Sequence, residues 1–96
     1  MTCLSCIQVT VYMEVRSPGE LWKVQSYIER LLTGGVLVES KVGEFSQPFS
    51  TLPRDGTMPD FISNCFSCLG CGQTFKLEVE TYHGAGGNFR RMEANE

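Results

Sequence analysis

One amphipathic stretch, set between segments of β pattern, limits what this chain can fold into. Ser17-Pro18-Gly19-Glu20 offers a capping serine, a proline at the first helical position and a glutamate three residues after the serine. Leu21, Val24, Ile28, Leu31 and Leu32 follow at helical spacing, and Trp22 and Tyr27 widen the apolar stripe. Lys23, Gln25, Glu29 and Arg30 occupy the rest of the wheel, and Gly34-Gly35 supplies a left-handed stop. A helix over 18–33 is predicted. Everything around it reads as strand. Residues 7–15 alternate, with Ile7, Val9, Val11, Met13 and Val15 on one face and Gln8, Thr10, Tyr12 and Glu14 on the other. Residues 36–42 form a second strand and 60–67 a third of ambiguous register. Residues 74–82 form a fourth, with Phe75, Leu77 and Val79 opposite Lys76, Glu78, Glu80 and Tyr82.

The order β-α-β-β-β with one helix implies an α+β fold of two layers. The helix packs on one face of a mostly antiparallel four-stranded sheet. If the first two strands lie parallel in that sheet, their crossover is right-handed. No second helix is available for the other face, which carries Tyr12, Glu14, Glu78, Glu80 and Tyr82 with Gln8, Thr10 and Lys76, and must be wet or bound. Residues 43–59 contain three prolines and the turn Pro53-Arg54-Asp55-Gly56, so they read as a long loop, either functional or a mobile surface insertion. The segment 84–96 is glycine-rich and then charged, and is expected to fray as a flexible tail. The 96 residues make one domain, 1–96, with no internal repeat.

Charge narrows the partner class. Eight Lys and Arg against eleven Asp and Glu leave a net charge of −3, which disfavours direct nucleic-acid binding. No apolar run reaches the ~20 residues of a membrane helix, so no membrane partner is expected. Met1 to Cys6 has neither a basic nor an apolar signal region. The five cysteines cannot all pair within one chain, and a reduced, cytoplasmic setting is the expectation.

Cys68-Leu69-Gly70-Cys71-Gly72, just before a strand, resembles the knuckle of zinc ribbons. There, two thiolates converge because turn amides point at the sulfurs, and the glycine permits a positive φ. Cys3 and Cys6 would complete a tetrahedron. The N-terminal pair lacks the following glycine, and Cys65 has no place in the scheme. A metal-free hairpin of the same shape is the competing reading, so the cofactor expectation is none, or zinc. A redox role would place a cysteine at a helix N-terminus, whereas both Cys-x-x-Cys pairs adjoin strands.

A catalytic centre is not evident. His83 is the only histidine, and no third group orients it against Cys65, Cys68 or Cys71. Gly84-Ala85-Gly86-Gly87 lacks the helix that a phosphate loop needs, and is read as the point where the chain leaves the sheet. Glu78 and Glu80 share a strand face, where carboxylates are solvated unless a cleft raises one pKa. Between Tyr12 and Tyr82 they can instead form a surface complementary to a basic partner.

A small, acidic, single-domain chain of this kind resembles the immunity proteins of bacterial toxin–immunity systems, including contact-dependent growth inhibition. The resemblance implies a non-catalytic protein that binds a cognate toxin domain, often a basic nuclease, and occludes its active site or substrate groove. It implies a toxin-facing surface at Tyr12, Glu14, Glu78, Glu80 and Tyr82, or at the loop bearing Phe49, Leu52, Arg54 and Asp55. The zinc-knuckle resemblance implies the alternative, a zinc-ribbon-like structural or adaptor module of a larger assembly.

Overall fold

The computed structural model describes residues 9, 12–43, 46–53, 58–81 and 84–92. Strand β1 (Tyr12–Val15) leads into α1 (Pro18–Thr33) and then β2 (Leu37–Val42). A 3-10 turn (Phe49–Thr51) precedes β3 (Phe61–Cys68), β4 (Thr74–Glu80) and β5 (Gly86–Arg91). The strands make one five-stranded sheet in the order β1-β5-β4-β3-β2, with every neighbouring pair antiparallel. The architecture is α+β, one helix on one sheet.

The helix begins and ends as its sequence demands, with one variation at each end. Ser17 caps it in extended conformation, its hydroxyl accepting from the Glu20 amide at 3.2 Å. The Glu20 carboxylate reaches one residue further back than a reciprocal box requires and accepts from the Arg16 amide at 2.8 Å. At the other end Gly34 remains right-handed, and only Gly35 is left-handed, at φ 76°. The Val36 amide then donates to Leu31 O and that of Gly35 to Leu32 O, a Schellman closure. Leu31 and Val36 both pack against the core, supplying the apolar contact that accompanies such a stop.

β1 and β2 run in the same direction but occupy opposite edges of the sheet. A helix of 16 residues spans about 24 Å, enough to cross the roughly 19 Å of four strand spacings. Between the two layers lie Leu21, Val24 and Ile28 of α1 with Ile62, Phe66, Phe75, Leu77, Val79 and Phe89 of the sheet, all buried. Phe49, Phe66, Phe89 and Phe75 form a chain of rings with successive centroids 5.4, 6.2 and 5.9 Å apart. The first two contacts are edge-on and the last is stacked, both favourable aromatic geometries.

Three expectations are corrected. The sheet has five strands, because residues 86–91 pair with both β1 and β4 instead of fraying. Gly86 and Gly87 are where the chain rejoins the sheet. Gly86 has φ 76°, and a Cβ on Gly87 would overlap the Glu78 carbonyl oxygen. In the 43–59 loop, Phe49 and Leu52 are core residues, at 1 % and 4 % exposure, and not elements of a binding surface.

The described part of that loop is also firmly tied. The Glu39 carboxylate accepts from the Phe49 amide at 3.0 Å and from Asn64 Nδ2 at 2.7 Å. Asn64 Nδ2 donates to Gln47 O as well, and Asn64 Oδ1 accepts from the Ser46 hydroxyl. Gln25, buried on α1, donates to Pro53 O at 2.8 Å. Among the described residues no helix is long and apolar enough to cross a membrane.

Candidate functional site

The sheet face opposite α1 carries residues expected to recognise a partner. Because antiparallel partners project their side chains together, the strand register resolves it into rows. One row runs Tyr12, Arg90, Lys76, Cys65 and Lys41 from edge to edge. The next runs Glu14, Asn88, Glu78 and Ser63, and a third contains Gly86, Glu80 and Phe61. Thr74, Ser67 and Val38 form a fourth beyond the first. The face is therefore polarised, with cations concentrated in one row and carboxylates in the two beside it.

Glu78 sits where the two signs meet. Its Oε2 lies 3.3 Å from Lys76 Nζ and its Oε1 3.6 Å from Arg90 Nη1, which also donates to Asn88 Oδ1 at 2.9 Å. Glu14 pairs with Arg16 at 2.9 Å. That hydrogen bond, reinforced by Coulomb attraction, raises the guanidinium pKa above its ordinary value. Such half-exposed pairs contribute little stability, yet they set the pattern of charge that a partner meets. Among the described residues Tyr12, 52 % exposed, is the exposed large aromatic on this face, and Phe61 is half-buried on it.

Of the residues expected to recognise a partner, Tyr12, Glu14, Glu78 and Glu80 do share this face. Tyr82, Arg54 and Asp55 lie outside the described residues, as does His83. Sequence reading missed Arg90, Asn88 and Lys41, which dilute the acidic character expected of the sheet. The alternation of Asn88, Phe89 and Arg90 was the available signal, with a single apolar residue to carry it.

Near the acidic end of the sheet a cleft of about 390 Å³ lies between the first turn of α1 and the ends of β1, β4 and β5. Its walls are Val15, Leu21, Trp22, Met58 and Val79. Arg16, Asp60, Glu80 and Thr81 also line it, Arg16 being engaged by Glu14.

The cysteines divide between the layers. Cys65 is half-buried on the open face, while Cys68, three residues on, points into the core at 3 % exposure. The 68–73 turn has the knuckle shape. Gly72 lies at φ 80°, its amide donates to Cys68 O, and the Gly70 amide donates to Cys68 Sγ at 3.3 Å. Cys71 is exposed at the turn, and Cys3 and Cys6 lie outside the described residues. Among the described residues, no group of three or more His, Cys, Asp or Glu side chains is arranged to hold a metal ion.

Compared with models of known protein families, with curated proteins and with solved structures, the chain gives no match.

Proposed function

We propose that this chain is a non-catalytic protein-binding domain that docks its partner on the open face of the sheet, in the manner of a toxin-neutralising immunity protein. The observation that carries this reading is the face itself: five strands wide, with no covering layer among the described residues, and bearing exposed Tyr12 beside rows of opposite charge. Tyrosine supplies contact area at low entropic cost, and the rows supply register and orientation. The partner is a toxin domain whose basic surface meets Glu14, Glu80 and Asp60 and whose acidic groups meet Lys41, Lys76 and Arg90. Occlusion requires no covalent chemistry, and the protein acts in the cytoplasm with its thiols reduced.

The test is capture of a partner from the native host by the intact chain and by a Tyr12→Ala/Glu78→Gln variant. Glu78→Gln is preferable to charge reversal, because a lysine at 78 would stand between Lys76 and Arg90. The reading requires a protein that the native chain holds and the variant releases, whose expression arrests growth, and whose effect co-expression of this chain relieves. A partner retained equally by both forms removes the sheet face from recognition.

A second reading, a zinc-ribbon-like adaptor using Cys3, Cys6, Cys68 and Cys71, is favoured by one observation, the Gly70 amide directed at Cys68 Sγ. The donor set of four thiolates suits Zn²⁺. Native mass spectrometry of reduced protein distinguishes the two readings. A mass increment of about 65 Da, lost with folding when a chelator is added, selects the adaptor.

A further inference from the structure

The charges of the open face are laid out with a symmetry that suits a second copy of the chain. On β4, the central strand of the five, Lys76 and Glu78 stand two residues apart on this face. Lys76 shares its row with Arg90 and Lys41, and Glu78 shares the next with Asn88 and Glu14. A two-fold axis lying across the strands, between those rows, carries one row onto the other. A second copy placed by that axis sets its Glu78 on Lys76 and its Lys76 on Glu78. It also sets Asn88 on Arg90, Glu14 on Tyr12 and Glu80 on Thr74, an acceptor on a donor each time. An axis along the strands does the reverse and lays the cation row on itself. Charge therefore favours one face-to-face arrangement and opposes the other.

We propose that the open face is a two-fold interface between copies of this chain, its axis crossing β4 between Lys76 and Glu78. Aligned sheets pack about 10 Å apart and turned by about 30°. That turn displaces the outer strands most and β4 least, so the four charges of the two β4 strands stay in register at the centre. They alternate in sign as a network, which stabilises more than isolated surface pairs do. The groups are accessible, Tyr12 and Glu14 being exposed and Lys76, Glu78 and Arg90 half-buried. The β2 edge is a poorer seat for a second copy. A bulge between Glu39 and Lys41 interrupts its line, and Lys41 adds a charge, both of which blunt a strand edge. Four strand spacings of about 4.8 Å and three row spacings of about 6.8 Å give a face of roughly 400 Å². A standard interface takes about 800 Å² from each partner, so this dimer is weak and exchanges rapidly. The inference goes beyond the proposed function and needs no toxin; a partner that docks on the same face competes with the second copy.

The experiment is sedimentation equilibrium of the whole, reduced chain between about 20 μM and 1 mM, the range in which weak dimers form. At ~150 mM salt the Debye length of about 8 Å screens the net charge of −3 on each copy and leaves direct contacts. The mass of the parent should rise from monomer toward dimer. Lys76→Glu and Glu78→Lys should each weaken association about tenfold or more, although one makes the chain more negative and the other less. Lys23→Glu, the same charge change on the exposed side of α1, should leave association unchanged. An equal mixture of Lys76→Glu and Glu78→Lys chains should dimerise again, because each then presents the charge that the other needs. In the parent itself, amide resonances that move with concentration should be those of Lys76, Glu78 and Arg90 and not those of α1. A parent still monomeric at about 1 mM overturns the inference. So do a dimer indifferent to Lys76→Glu, a mixture of folded variants that stays monomeric, and concentration shifts that map to α1.

Discussion

Asn64 Nδ2 donates to Glu39 Oε2 at 2.7 Å, joining a fully buried amide on β3 to a half-buried carboxylate on β2. The same amide holds Gln47 O and Ser46 Oγ, and the same carboxylate holds the Phe49 amide. Two side chains thus fasten the 46–49 segment over the core. Asn64→Ala leaves Gln47 O and part of the Glu39 carboxylate without partners, and should cost about 2–4 kcal/mol. Glu39→Gln keeps one acceptor but turns an amide donor toward another donor, and should cost about 1–2 kcal/mol. Urea unfolding measures both. Equal, near-zero losses would mean that the network does not hold the loop.

Phe49 is the plug that this latch secures. It is 1 % exposed, and its ring meets that of Phe66 edge-on at 5.4 Å. Phe49→Ala should cost about 3–5 kcal/mol through lost burial and an unfilled cavity. Ser50→Ala, exposed one residue later, should stay within about 0.5 kcal/mol of the parent. Thermal melts of the two variants give the comparison, and a surface role for Phe49 predicts that they match.

Gln25 is the one buried side chain with an unmet need among the described residues. Its Nε2 donates to Pro53 O, while its Oε1 is buried without a partner. An orphaned acceptor costs about 1–3 kcal/mol, comparable to the bond that the other half of the amide makes. Gln25→Met keeps the length and removes both groups, and Pro53, which is only half-buried, can turn to water. Its stability should therefore lie within about 1 kcal/mol of the parent in urea. A loss well above that would show that the Pro53 tether outweighs the orphan.

Gly87 tests the strand that sequence reading missed. It pairs with Val15 on one side and Val79 on the other, and an added Cβ would fall against the Glu78 carbonyl and 2.7 Å from Val79 Cα. Backbone cannot step aside as a flexible side-chain end can. Gly87→Ala should cost about 2–4 kcal/mol and raise hydrogen exchange selectively in β5 and β1. Gly84→Ala meets nothing within 4 Å, and bears only the strain of its φ of 73°.

What could be read from the chain was whatever local chemistry dictates. Ser17 and Glu20 mark the start of α1, Gly35 its end, and the alternation of Phe75, Leu77 and Val79 the inward face of β4. What could not be read depended on distant partners. β5 is glycine-rich because it must slide between β1 and β4, and glycine there mimics a loop. Phe49 looks like an exposed loop aromatic until Phe66 and the Glu39 latch are placed beside it. Phe61 and Phe66 fall on opposite faces of β3, so the aromatic pattern left its register open, and Asn64 is buried where the alternation needs an apolar residue. The open face carries more positive charge than its sequence reading allowed for a related reason: Arg90 belongs to β5, and leaving that strand out removed a cation that partners Glu78.

Cys68 and Cys71 separate a core residue from a metal ligand. In the metal-free reading, Cys68 is a small apolar side chain inside the core, and Cys71 is an exposed residue of the turn. Cys68→Ser then buries a hydroxyl and should cost about 1–3 kcal/mol, while Cys71→Ser should change stability by no more than about 0.5 kcal/mol. A chelator should leave the melting midpoint of the parent unmoved. A zinc site reverses each result. Both serine variants would then lose the same large increment, because either one breaks the tetrahedron, and the chelator would reproduce that loss in the parent protein. Unequal serine variants with an inert chelator are the expected outcome, since Cys68 faces Phe-rich core and Cys71 faces water.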